Sequence, residues 1–339
     1  MDQESNVYRE KLLTVYLASF DFKYKNEVHD MVVSIIRLAS HNFELADLNI
    51  IRQSIKELRK SYKVFAPYRD TRKVSIFGSA RCEESNLNYQ LAMRVAKKIT
   101  ELGYMVITGA GGGIMEAGNR GSVLNRDFGV NIDLPMEQDA NDYIKHSNKL
   151  ASFKYFFNRK LIFVKESDAA IFFPGGFGTH DEAFELLTLI QTGRCAPRPL
   201  LFMNYPKSTY WTEWFAFVRS ELLDKNYISS GDMNMVKILN NEDDCVEELH
   251  RFYRHYHSIR YIDNQAIMRL NRAVDDEELK QLEVEFEPLN FHSFRYYEPF
   301  KFEADDIYPD RHRLVFDFSK HNYGDLYALI EVLNQKPTV

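Results

Sequence analysis

The chain has 339 residues, a formal net charge of −6, and 45% hydrophobic and 27% charged residues. That make-up is of a soluble globular protein too long for one ordinary core, so a main domain with additions is expected. No run approaches the roughly 18 apolar residues of a membrane helix, and the negative balance excludes a general attraction to nucleic acid, so any phosphate site must be small and local. The three cysteines, Cys82, Cys195 and Cys245, are too few and too scattered for a disulfide framework or a paired-ligand metal site. The segment Met1-Asp2-Gln3-Glu4-Ser5-Asn6 is acidic and polar where a signal peptide is basic and then apolar, which predicts a cytoplasmic protein.

Residues 1–68 read as a helical extension. Apolar positions recur at helical spacing at Tyr8, Leu12, Leu13 and Tyr16, at Val32, Ile35, Ile36 and Leu38, and at Leu48, Ile51, Ile55 and Leu58. Near its end Lys56, Arg59, Lys60 and Lys63 form a basic stretch broken by Glu57; a solvated helix face is the better reading than a nucleic-acid contact.

From Lys73 strands and helices alternate. Val74 to Phe77 is a short buried strand, followed by Gly78-Ser79-Ala80-Arg81 and a helix from Leu87 to Leu102. Tyr104 to Ile107 is a second strand, ending in Thr108-Gly109-Ala110-Gly111-Gly112-Gly113 and a helix through Met115 and Ala117. Phe128 to Ile132 is a third; a helix from Phe153 to Lys165 then leads to a strand at Ala169 to Phe173. Leu200 to Met203 and Trp211 to Leu223 add a strand and a helix. This order predicts an α/β domain over 69–256, a Rossmann-like parallel sheet with helices on both faces and ligands at the carboxyl ends of its strands. In 257–339 a strand at Tyr261 to Leu270, a helix at Asp275 to Phe286, a strand at Arg313 to Phe318 and a helix at Tyr323 to Leu333 predict a small α+β unit of ferredoxin-like kind.

Behind the strand at 169–173 stands Pro174-Gly175-Gly176-Phe177-Gly178-Thr179-His180-Asp181-Glu182, glycines and a hydroxyl where a buried strand turns into a helix. Such a turn lets main-chain NH groups approach an anion. The spacing Gly-x-Gly-Gly-Gly at 109–113 is not the dinucleotide fingerprint, and Ile114-Met115 follow where a Walker motif has lysine, which disfavours NAD and a triphosphate. Thr179-x-x-Glu182 also reads as a capping box, and on that motif alone the cap is the better reading of Glu182. Arg159 alone reads equally as a surface ion-pairing residue. His180 and Asp181 are adjacent on a helix and point apart, so a solvent or interface role is expected for them. The apolar stripe Ala183, Phe184, Leu186, Leu187, Leu189 and Ile190 is more often core than interface.

Arg159-Lys160 followed by the 174–182 segment closely resembles the signature of the LOG family, the nucleoside 5'-monophosphate phosphoribohydrolases once misread as lysine decarboxylases. Phe77-Gly78-Ser79-Ala80-Arg81 and Thr108 to Ala117 are similar to that family's two other nucleotide-binding stretches, so the resemblance covers about residues 72 to 220. The flanks, with Tyr256-His257-Ser258-Ile259-Arg260-Tyr261, resemble those of longer bacterial members. Ala110 and Gly112 depart from the family's usual Gly and Pro, and His180-Asp181 from Leu-Glu or Leu-Asp. The resemblance implies hydrolysis of the N-glycosidic bond of an AMP-like nucleotide, cytokinin ribotides included, to free base and ribose 5-phosphate. Glu182 and Arg159 are then catalytic. Gly111, Gly112, Gly113, Gly175, Gly176, Gly178 and Thr179 hold the monophosphate, with Ser79, Glu116 and Lys160 as further substrate contacts. No metal or cofactor is implied, and family members being at least dimers, a homo-oligomer is expected. A non-catalytic nucleotide sensor is the alternative; lysine decarboxylation lacks a recognisable pyridoxal phosphate site.

Overall fold

The computed structural model describes residues 16, 19, 24–41, 43–134, 140–299, 308–319 and 322–335. Met1 to Asn6 and the first expected helical positions, Tyr8, Leu12 and Leu13, lie outside the described residues. Contacts divide the chain into two compact units, Met1–Lys56 and Glu57–Val339. The first contains helix α1 (Lys25–Ser40), and the boundary falls inside α2 (Leu45–Phe65).

The second unit holds a seven-stranded parallel sheet. Its strands are β1 (Lys73–Phe77), β2 (Met105–Thr108), β3 (Asp127–Ile132), β4 (Leu150–Phe153), β5 (Ala169–Phe172), β6 (Leu200–Met203) and β7 (Val236–Leu239), in the order β4-β3-β2-β1-β5-β6-β7. The connecting helices are α3 (Leu87–Glu101), α4 (Ile114–Gly121), α5 (Phe156–Glu166), α6 (Phe177–Gln191), α7 (Tyr210–Val218) and α8 (Glu242–Phe252). The central strands β1, β2, β5 and β6 are buried at every position because both faces are covered. Ile76 and Ile171 lie in one core with Val95, Val106 and Leu201, whereas the alternate residues Phe77 and Phe172 lie in the other with Phe128, Phe163 and Phe202.

Phe153 belongs to a strand, where a helix was expected to begin; α5 starts three residues later. Neither β4 nor β7 was legible, being four-residue edge strands with incomplete burial. The expected helix from Trp211 is regular to Val218 and then widens into a π-turn at Arg219–Leu223.

The α+β segment forms a four-stranded antiparallel sheet, β10-β11-β9-β8, from β8 (Tyr256–Ile262), β9 (Gln265–Leu270), β10 (Phe291–Tyr297) and β11 (His312–Phe318). The single strand expected over 261–270 is a hairpin, β8 and β9, turned at Asp263, whose φ is 53°. Helices α9 (Asp276–Phe286) and α10 (Leu326–Gln335) follow β9 and β11. The resulting ββαββα order differs from the βαββαβ order of a ferredoxin-like unit. This sheet shares its core with the parallel one: Met268, Phe291, Leu314 and Phe316 belong to the same cluster as Phe172 and Phe202. Tyr327 of α10 donates its hydroxyl proton to the Arg198 carbonyl at 2.7 Å, so both sheets fall in one compact unit. No helix among the described residues is long and apolar enough to cross a membrane.

Candidate active site

In the order β4-β3-β2-β1-β5-β6-β7 the chain's direction of winding reverses between β1 and β5, the point where parallel sheets open a crevice at their carboxyl ends. The turns leaving these two strands are tied together. The Ser79 amide donates to the Pro174 carbonyl at 3.1 Å, and the Ile114 amide to the Ser79 carbonyl at 3.0 Å. A cleft of about 830 Å³ opens above them, lined by 78–81, by Gly109 and Met115, by Phe156 and Arg159, and by 175–182.

Gly176 is the residue preceding the first turn of α6, so Thr179 lies inside the helix and its amide donates to the Gly176 carbonyl at 3.0 Å. The capping box read from Thr179 and Glu182 does not form, because backbone geometry at Gly176 starts the helix three residues earlier than the hydroxyl position implies. The amides of Phe177 and Gly178 stand in the first helical turn, where NH groups have no partner within the helix and the dipole favours an anion. Gly175 is required by close approach: a Cβ there would sit 2.1 Å from the Thr179 hydroxyl oxygen and 2.9 Å from the Ser79 amide nitrogen. The Ser79 hydroxyl accepts from the Arg81 amide at 3.2 Å and keeps its own proton to donate.

Glu182 lies one turn further along α6, on the inward stripe with Thr179, Ala183, Leu186 and Ile190. Of the expected apolar stripe, Ala183, Leu186 and Ile190 are core, whereas Phe184 is exposed. Burial raises the Glu182 carboxyl from 4.5 to about 7, against the opposing charges of Lys160 and Arg159. Lys160 is 3.4 Å from Glu182 but 2.9 Å from both Asp181 and Glu185. Its charge is thus shared among three carboxylates and only partly offsets the desolvation of one. Burial pulls Lys160 down, but bonds to Glu185 and Asp181 more than offset it and hold it charged.

Arg159 comes from the first turn of α5 and reaches over the ends of neighbouring strands. Its Nε donates to the Val130 carbonyl of β3 at 2.9 Å, and its guanidinium lies 5.3 Å from the centre of the Phe163 ring. Gly109, directly behind β2, leaves the space that the guanidinium fills. The start of α5 is held in turn by Glu57, a 2% exposed side chain that accepts from the Lys154 amide at 2.8 Å and from Asn158 Nδ2 at 2.7 Å. The basic residues around it, Lys56, Arg59, Lys60 and Lys63, are exposed. Glu57, which in the sequence merely interrupts a basic run, is the anchor of the arginine's helix. Its spacing from the exposed cations is the one signal that marks it as the inward position.

The cleft brings together Ser79, Arg159, Gly175, Gly176, Gly178, Thr179 and Glu182 of the expected residues, with Lys160 reaching Glu182 from behind. It is not lined by Gly111, Gly112, Gly113 or Glu116. Gly113 is buried at φ 63°, within 2.3 Å of the Ser79 carbonyl oxygen for any added Cβ, and so packs the two loops together. Glu116 faces α3, where it accepts from the Tyr89 hydroxyl at 3.2 Å. Ala110, in place of a family glycine, adopts the left-handed φ of 63° that glycine supplies without strain.

His180 is half-buried: it packs beside Trp211 and Trp214 and its Nε2 lies 2.7 Å from the Tyr210 hydroxyl. The single hydroxyl proton of Tyr210 goes to the Gly175 carbonyl, so His180 must donate from Nε2. Burial lowers its pKa and keeps it neutral, in keeping with that donor role. Asp181 points away to the surface and meets Lys160.

Fold and site together define a Rossmann-like α/β protein with a carboxylate and an arginine lining one cleft with a glycine turn that opens a helix, at the point where winding reverses. The family model described as "Possible lysine decarboxylase" matches residues 110–249. A relative from Archaeoglobus fulgidus, described as an uncharacterized protein, is 34% identical over 112 residues, which are 32% of this chain and 69% of that protein. Among solved structures the chain is similar to TM1055, a structural genomics target, at 18% identity and TM-score 0.38 over 53% of this chain and 99% of that one. It is similar also to the molybdenum cofactor binding protein of Rippkaea orientalis, at 19% identity and TM-score 0.37 over 52% and 94%. The chain belongs to the LOG family.

Proposed function

We propose that the protein hydrolyses the N-glycosidic bond of a nucleoside 5'-monophosphate of the AMP type, cytokinin ribotides included, to free base and ribose 5-phosphate. The observation that carries this reading is that Glu182, a buried carboxyl, and Arg159 line one cleft with the anion-binding turn of 175–179. The monophosphate sits on the first-turn amides of α6 with Thr179 and Ser79, which places the ribose toward Glu182, one turn along the same helix. As the bond from C1' to the base nitrogen breaks, positive charge grows on the ribose, and a carboxylate beside it stabilises that charge. Glu182 takes the proton of the water whose oxygen bonds to C1', and the departing base nitrogen takes up a proton from solvent. Arg159 orients the nucleotide and assists departure of the base. Its bond to Val130 and its seat at Gly109 fix the guanidinium before substrate arrives. We further propose a cytoplasmic homo-oligomer, at least a dimer, on the strength of the family resemblance.

The test is direct. Purified protein incubated with AMP releases adenine and ribose 5-phosphate, and Glu182→Ala abolishes the release. Tight AMP binding by the unaltered protein with no product would overturn hydrolysis and support the alternative of a non-catalytic nucleotide sensor.

A further inference from the structure

A second cleft, of about 650 Å³, lies at the other end of the parallel strands, within the range of small-molecule sites. Arg72 and Tyr104, which line it, immediately precede β1 and β2; its far wall is Arg254, after α8, and Arg311, before β11. Three guanidinium groups from three separate elements thus converge in a chain whose net charge is −6.

Each is held in place while donors remain uncommitted. The Arg72 guanidinium lies 3.6 Å over the Tyr253 ring and makes a single 3.4 Å contact to Asp168. Arg254 meets Glu247 at 3.6 Å and donates to the Asn334 carbonyl at 3.2 Å. Arg311 donates from Nη1 to Asn271 at 2.9 Å, has no ion pair among the described residues, and has a buried Nε with no hydrogen-bond partner. A guanidinium carries five NH donors, so this set is far from satisfied. Two carboxylates, Asp70 and Glu247, also line the cleft, but both are exposed, where water screens them. The half-buried His257 reports the local field: burial first, then the charges of Arg311, Arg72 and Arg269, push it down to about 4, so it is neutral at neutral pH.

A planar carboxylate is met by one guanidinium fork, whereas a tetrahedral phosphate offers oxygens to forks arriving from several directions. We propose that this cleft is a binding site for a phosphorylated small molecule, with a phosphate group held by Arg72, Arg254 and Arg311, separate from the candidate active site.

Isothermal titration of the full chain with inorganic pyrophosphate tests this. Binding is expected to weaken ten-fold or more in Arg311→Met and in the exposed Arg254→Met, and to persist in Arg159→Met, which alters the other cleft. Thermal denaturation of each variant verifies folding, and Arg254→Met alone decides should Arg311→Met not fold. Pyrophosphate binding that Arg159→Met removes and the two cleft variants keep would overturn the proposal. So would absence of binding, or citrate binding as tightly as pyrophosphate.

Discussion

Gly109 and Arg159 occupy complementary space: a Cβ at position 109 would lie 2.3 Å from Nη2 of Arg159. The glycine behind β2 therefore serves a side chain fifty residues away, in addition to any role in its own turn. In Gly109→Ala the guanidinium must move by an ångström or more, and misplacement of that size is expected to lower kcat by about 10²-fold. The melting temperature should stay close to that of the unaltered protein, because the other neighbour, Met115, is a flexible side chain. Steady-state base release from AMP checks this, and undiminished kcat would show that Arg159 need not hold its observed place.

Glu182 links stability to pH. Its carboxyl titrates at about 7 in the folded chain against an ordinary 4.5, so between these values the folded protein holds a proton that the unfolded chain has released. Stability must then fall as pH rises through this window, with the whole contribution present below about pH 4.5 and lost above about pH 7. The amplitude is on the order of 3 kcal/mol. Glu182→Gln cannot titrate, so urea denaturation of both proteins from pH 4.5 to 8 should give a difference that grows across that window. Parallel curves would contradict the burial of this carboxyl.

The same group should set the acid limb of activity. Only ionised Glu182 stabilises positive charge on ribose, so kcat/KM is expected to rise with pH and level off above about 7. The charges facing it are Arg159, Lys160, Glu185 and Asp181, and of the two cations Lys160 lowers its pKa more. Lys160→Met should therefore move the limb to higher pH while the plateau survives. A pH-rate profile with the limb unmoved would remove Lys160 from this role.

Glu57 is expected to matter as much for activity as for stability. In Glu57→Ala the Lys154 amide and Asn158 Nδ2 lose a buried charged acceptor, at a cost of about 3 kcal/mol. The first turn of α5 then loses its tether, so kcat falls along with stability, since Arg159 lies in that turn. Glu57→Gln, which keeps one acceptor oxygen, should recover part of both. Denaturation midpoints and kcat measured on the same preparations would show whether the two move together.

The Tyr210 hydroxyl ties down the glycine turn of 175–179 by donating to the Gly175 carbonyl and accepting from His180. Tyr210→Phe leaves the neutral His180 Nε2 proton unpartnered and frees the Gly175 carbonyl. The expected result is about 1–3 kcal/mol lower stability and a raised KM for AMP with a smaller change in kcat. An unchanged KM would mean the turn keeps its shape without the bond.

The sequence alone determined the alternation of strands and helices, the parallel sheet and the glycine turns at its carboxyl edge, because local periodicity and turn chemistry act over a few residues. It also marked Arg159, Thr179 and Glu182, through spacing shared with a family. Only the tertiary structure decided that Glu182 is a buried carboxyl and not a helix cap, since the cap position depends on the backbone at Gly176. Tertiary contacts also decided that Gly109 makes room for Arg159, that Glu57 anchors its helix, that Glu116 turns toward Tyr89, and that His180 bonds to Tyr210. Each of these joins residues distant in the chain, brought together by the order in which strands enter the sheet. The short edge strands β4 and β7 and the shared core of the two sheets were hidden for the same reason: four half-buried residues carry little periodicity, and which apolar face meets which is settled only when the layers pack.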